Sequence, residues 1–256
     1  HPILGGNARN LDLWPIGNCQ ASALIDRAGR MVWACVPRVD GDPVFSALLD
    51  DADWDDDAAI GFWAIELENC VAVEQYYLRN TPVLVTRQSD TQGNVIEIFD
   101  FCPRHKHKGR MYRPVAFARI ARPVAGSPRI RVRLRPTTAW NAETVPINYG
   151  SNHIRMVLSY MAMRVSTDAP IGLIAQESWF RLEQDAHFFM GPDEGFSDAL
   201  RPALQRMLDD TVEEWRLWVR GLAIPAEWQE AVIRSAITLK LCQHEETGAI
   251  VAALTT

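Results

Sequence analysis

Between about residue 16 and residue 190 the apolar positions fall in short alternating runs separated by turn residues. Ala21 to Ile25 and Met31 to Val36 flank Arg27-Ala28-Gly29-Arg30, which predicts a hairpin closed on the glycine. Ile130, Val132 and Leu134 alternate with Arg129, Arg131, Arg133 and Arg135, the period-2 pattern of a strand with one wet face. Comparable runs lie at 60–67, 71–78, 83–88, 95–101, 115–121, 154–160 and 179–182. With no helical period between them, these runs predict a mainly β fold, a large antiparallel β-sandwich. A parallel sheet would need crossover helices.

After Pro202 the period changes. Leu204, Leu208, Val212, Trp215 and Val219 take helical spacing, and Arg206, Asp209, Glu213 and Arg220 take the opposite side. Gly221 suits the stop. A second helix is expected from near Pro225, with Trp228, Val232, Ala236 and Leu239 in one apolar row and Ile233, Ile237 and Leu241 in the next. Glu230 and Arg234 have the spacing of an exposed i,i+4 pair. Two adjacent rows make a face wider than one neighbour covers. The chain is therefore expected to be the front part of a larger protein.

Composition changes this picture little. Apolar residues are 48% and charged residues 23%, ordinary for a globular chain, and no run reaches membrane-spanning length, so no membrane partner is expected. A net charge of -6 argues against a nucleic-acid surface. Five widely spaced cysteines read as reduced thiols of a cytoplasmic protein.

Cys102, His105 and His107 offer zinc-type ligands but no fourth, among Lys106, Lys108, Arg110 and Arg113, so a solvated basic loop is the preferred reading and no metal is expected. Asp50, Asp51, Asp53, Asp55, Asp56 and Asp57 lack the glycine and distal glutamate of a calcium loop. Trp14, Trp33, Trp63, Trp140 and Trp179 lie in or beside strands and read as core. Glu213-Glu214 and Glu245-Glu246 read as surface charges. The cofactor-binding motifs are absent and none is expected.

Two segments carry more specific wording. The first is Ile16-Gly17-Asn18-Cys19, Ala23-Leu24-Ile25, Gly29, Trp33, Cys35, Pro37-Arg38, Asp40, Pro43, Phe45 and Leu48-Leu49. The second is Arg234-Ser235-Ala236, Leu239-Lys240-Leu241, Thr247-Gly248-Ala249-Ile250-Val251-Ala252-Ala253 and Thr255-Thr256. Together with Tyr77-Leu78, Asp100-Phe101 and Trp215-Arg216 they resemble the bacterial glucoamylase and trehalase-like glycoside hydrolases of family 15. The resemblance implies a sandwich over 1–200, a helical linker over 201–224 and, over 225–256, the first helix of an incomplete (α/α)6 barrel. It implies an inverting hydrolase of α-glucosides, maltooligosaccharides or trehalose, whose two catalytic glutamates lie in the barrel beyond this chain, so no catalytic residue is expected within it. Implied partners are the rest of that barrel, the substrate and, for homo-oligomers, a second copy. Asn18, Gly41-Asp42, Leu254 and Thr137 to Asn141 depart from the family wording. The turn after Trp33, with Arg38 and Asp40, is the candidate substrate-proximal loop, although the two charges could simply fix the turn. The rival reading is a stand-alone carbohydrate-binding or protein-interaction module.

Overall fold

The computed structural model describes residues 12–50, 57–225 and 227–254. Among them two antiparallel sheets pack face to face. The first, of seven strands, runs Trp14–Gly17, Ser22–Ile25, Met31–Cys35, Phe62–Leu67, Arg129–Arg135, Phe180–Arg181, with Pro43–Ser46 paired to Met31–Cys35. The second, of eight, runs Ile147–Tyr149, His153–Val157, Ala162–Thr167, Ala186–Pro192, Phe117–Ala125, Val95–Phe101, Leu84–Ser89, Ala72–Tyr77. Three α-helices, α1 (Ile171–Ala175), α2 (Leu200–Arg220) and α3 (Gln229–Leu241), with a 3-10 turn at Ala47–Leu49 and three two-stranded ribbons, complete the described residues.

Pleat alternation assigns each side chain its layer. Ile96, Ile98, Phe117, Leu84 and Met190 of the second sheet meet Ile25, Met31, Trp63, Ile65 and Val132 of the first in the central core. On the outer face of the second sheet, Val83, Val85, Phe99, Phe101, Ala118 and Ile120 are covered by Leu204 and Leu208 of α2. These strands are therefore apolar on both faces. Further along, Trp215 and Val219 of α2 join Cys19 and the Ile237 and Leu241 row of α3 in a smaller cluster.

The predicted hairpin forms with Ser22–Ile25 antiparallel to Met31–Cys35. Gly29 sits in its turn at φ 82°, and a Cβ there would stand 2.8 Å from Thr86 Cγ2. The expected wet face of Arg129–Arg135 is largely covered. Arg131 stacks 4.7 Å from Trp179 and Arg133 4.9 Å from Phe62, while Glu66 accepts hydrogen bonds from both. The run 154–160 breaks after Val157, because Leu158 N–H donates to Met161 O (2.9 Å) and turns the chain. Arg234 also departs from expectation: its guanidinium lies 4.0 Å over the Tyr77 ring and donates to Thr81 O (2.8 Å), tying α3 to the sandwich rather than pairing with Glu230.

A buried pair sutures the sheets. Arg119, fully buried, donates to both carboxylate oxygens of Asp100 (2.7 and 3.2 Å), to Trp63 O (2.7 Å) and to Gly29 O (2.6 Å). Burial pushes the Asp100 carboxyl up, and Arg119 opposes that.

Candidate functional site

The expected loop leaves the strand Met31–Cys35 and returns as Pro43–Ser46. It is pinned by Val36 N–H to Asp42 O (3.3 Å) and Gly41 N–H to Arg38 O (2.9 Å). Gly41 passes so close to Val36 that a Cβ would lie 2.6 Å from its carbonyl oxygen, so no other residue fits. At the tip, Arg38 and Asp40 form a two-pronged pair, Nε to Oδ1 and Nη2 to Oδ2 both 3.0 Å, with side chains 60% and 62% exposed. Such an exposed pair adds at most about 1 kcal/mol of stability. Trp33 does not join them: it is buried on the sheet under Leu13, Leu48 and Leu254. Beside it, burial first, and then the Asp42 and Asp40 carboxylates, push the Cys35 thiol up to about 12. Leu254 brings the end of the described chain onto the strand from which the Arg38–Asp40 turn departs.

Asp42, which the sequence marks only as a departure from the family wording, organises a second hairpin tip. Its carboxylate accepts from Thr138 Oγ1 (2.9 Å), Ala139 N–H (2.7 Å) and Trp140 N–H (2.8 Å). Ala139, Trp140 and Asn141 are all left-handed, at φ 53°, 54° and 70°. Ser46 Oγ accepts from Thr137 Oγ1 (2.6 Å) and donates to Asn141 Oδ1 (2.9 Å). A third tip is joined here, since the Ser159 hydroxyl donates to Thr138 Oγ1. Of the five tryptophans expected in the core, Trp33 and Trp63 are buried and Trp14 and Trp179 half-buried, but Trp140 is 50% exposed. Tyr160, on the third tip, is 76% exposed. The departures of Gly41-Asp42 and of 137–141 from the family wording are the sequence signals for this cluster.

Cys102 and His105 are buried, whereas His107 points to solvent from a short hairpin, His105–His107 with Arg110–Tyr112, among exposed Lys106, Lys108 and Arg110. Among the described residues no three His, Cys, Asp or Glu side chains converge as a metal site. Asp51, Asp53, Asp55 and Asp56 lie outside the described residues.

Glu245 is not a surface charge. It accepts from Arg104 (2.8 and 3.0 Å) and pairs with Arg113 (3.1 Å) and Lys240 (2.8 Å) where the sandwich meets the segment after α3. Although burial works against it, bonds from Arg104 and Lys240 bring its carboxyl down to about 2. Asn18, fully buried at the same seam, donates to Pro103 O (2.9 Å) and Pro114 O (2.8 Å). Its Oδ1 accepts from Gln20 N–H (3.0 Å) and Ala21 N–H (2.8 Å). The geometry calls for an amide: a carboxylate would face two carbonyl oxygens without donors.

The family model described as "Trehalase-like, N-terminal" matches residues 3–188. A trehalase of Thermoplasma volcanium is 26% identical over 94% of this chain and 38% of its own length. A trehalase of Mycolicibacterium smegmatis is 24% identical over 94% of this chain and 39% of its own, and one of Thermoplasma acidophilum 24% over 91% and 40%. The chain thus spans about two-fifths of the length of these relatives. No solved structure matches it. The match runs through the sandwich from the first strand to Ala186–Pro192, and on that ground the chain belongs to the family of trehalase-like N-terminal domains.

Proposed function

We propose that this chain is the N-terminal domain of an inverting family 15 glycoside hydrolase that acts on α-glucosides, trehalose or maltooligosaccharides, and that the general acid and base belong to a barrel following it. The observation that carries the reading is the family match, in order along the chain, to three trehalases more than twice its length. The uncovered row of α3 supports it. Trp228, Val232 and Leu239 are 82%, 38% and 65% exposed, and Ile250 is 70% exposed. A contiguous apolar face of this kind marks an interaction site. The remaining barrel helices are its occupant in this reading, with α3 as the first of them. The domain divisions 1–200, 201–224 and 225–256 follow from the same reading. Five free cysteines support residence in the cytoplasm. No described helix is long and apolar enough to cross a membrane.

The test is to produce residues 1–256 and the downstream remainder as separate polypeptides. The account predicts that they copurify and that Val232→Glu with Leu239→Glu separates them. A monomeric 1–256 chain that ignores the remainder contradicts it. In the joined protein, Arg38→Ala should lower hydrolysis. Unchanged hydrolysis would reduce the Arg38–Asp40 pair to a turn clasp.

A further inference from the structure

Three hairpin tips meet at one end of the sandwich: 36–42, 139–142 and 158–161. We infer that Trp140, with Tyr160 and the Arg38–Asp40 pair around it, is an aromatic platform that holds a glucosyl ring of an α-glucoside. This rests on the α-glucoside reading above and names a binding residue for it.

The backbone at Trp140 is the first ground. Three consecutive non-glycine residues in the left-handed region are conformationally costly, and Asn141 is of a type that tolerates it while Ala139 and Trp140 are not. Costly conformations persist where surrounding structure over-determines them, and they gather at ligand clamps. Here the surroundings do over-determine it. Both oxygens of the buried Asp42 carboxylate are spent on the tip, and Ser46 secures Asn141. A tip that only had to reverse the chain could use glycine or asparagine at no such cost. What this one achieves is a tryptophan held half in solvent on a fixed backbone.

The surroundings of the ring give the second ground. A pyranose has an apolar C–H face and a rim of hydroxyls, so it suits an isolated flat ring bordered by polar and charged groups better than a continuous apolar patch. Trp140 and Tyr160 are isolated exposed rings on separate tips. On the 36–42 tip, which Asp42 ties to the Trp140 tip, the Arg38 guanidinium and Asp40 carboxylate supply a donor and an acceptor to solvent. Leu254 packs on Trp33 and Cys35, on the strand from which the 36–42 tip departs.

The experiment is saturation-transfer NMR on the 256-residue chain with trehalose, maltose and methyl α-D-glucopyranoside, with thermal melts confirming that each variant folds. Transfer to at least one sugar is expected. Trp140→Ala should weaken binding roughly tenfold, as loss of one aromatic contact would. Trp140→Phe should recover part of it, and Tyr76→Ala, exposed on the far edge strand, should change nothing. No transfer from the unsubstituted chain, or equal transfer from Trp140→Ala, overturns the inference. Failure here is separable from failure of the broader reading. A longer protein that hydrolyses trehalose with its KM untouched by Trp140→Ala keeps the hydrolase and loses the platform.

Discussion

Replacing Arg119 tests the suture between the sheets. Arg119→Ala removes four hydrogen bonds, two to Asp100 and one each to Trp63 O and Gly29 O, and a guanidinium 5.1 Å from the Trp63 ring. Neither member of the pair touches solvent, so water cannot replace what is lost. Asp100, already pushed up by burial, is then expected to take a proton rather than remain charged. Breaking one side of such a pair costs about 3–5 kcal/mol, a large fraction of the roughly 5–15 kcal/mol that holds a domain together. With a urea slope of about 3 kcal/mol/M, the midpoint should fall by roughly 1–1.7 M. Nine tryptophans give a fluorescence signal for that transition. The double substitution Arg119→Met with Asp100→Leu should cost less than the sum of its singles, because the charge and its partner leave together. A loss below about 1 kcal/mol for Arg119→Ala would refute the view that this pair joins the sheets.

Two further predictions concern the seam between sandwich and helices. Asn18→Asp should destabilise the chain by about 1–3 kcal/mol in chemical unfolding at neutral pH, since its two donor bonds become contacts between oxygens; an unchanged midpoint would refute the assignment of the amide. Glu245 has a folded value of about 2 against an ordinary 4.5, so its pairing with Arg104 and Lys240 contributes stability above pH 4.5 that is lost as pH falls toward 2. Glu245→Gln should therefore be less stable near neutrality and lose less on acidification than the unsubstituted chain, as thermal melts from pH 7 to pH 2.5 will show.

The sandwich was legible because its strands carry their period openly. Ile96 and Ile98 point to one layer, Phe99 and Phe101 to the other, and the turn glycine of the first hairpin stands where the pattern breaks. The row Leu204, Leu208, Trp215 and Val219 likewise marks the buried side of α2 by its spacing alone. Strands such as Trp14–Gly17 and Pro43–Ser46 carry no clear period, being four residues long and proline-bearing, so their pairing is set by the strands beside them. The site was less legible for a physical reason. Asp42 and Trp140 are nearly a hundred residues apart, and what joins them is a carboxylate reaching two backbone N–H groups, which leaves no periodic trace. The same holds for Glu245, whose partner Arg104 is brought to it only by the folded seam.

The central claim is that this domain serves an inverting α-glucoside hydrolase whose acid and base lie beyond it. Proton NMR of glucose released from trehalose and maltose tests it most directly, with residues 1–256 run beside the chain extended through its downstream reading frame. The account predicts release only by the extended chain, as α- and β-glucose in equal amounts from trehalose and with the non-reducing ring of maltose freed as the β-anomer. Glucose released by residues 1–256 alone, or α-glucose alone from trehalose, would contradict it.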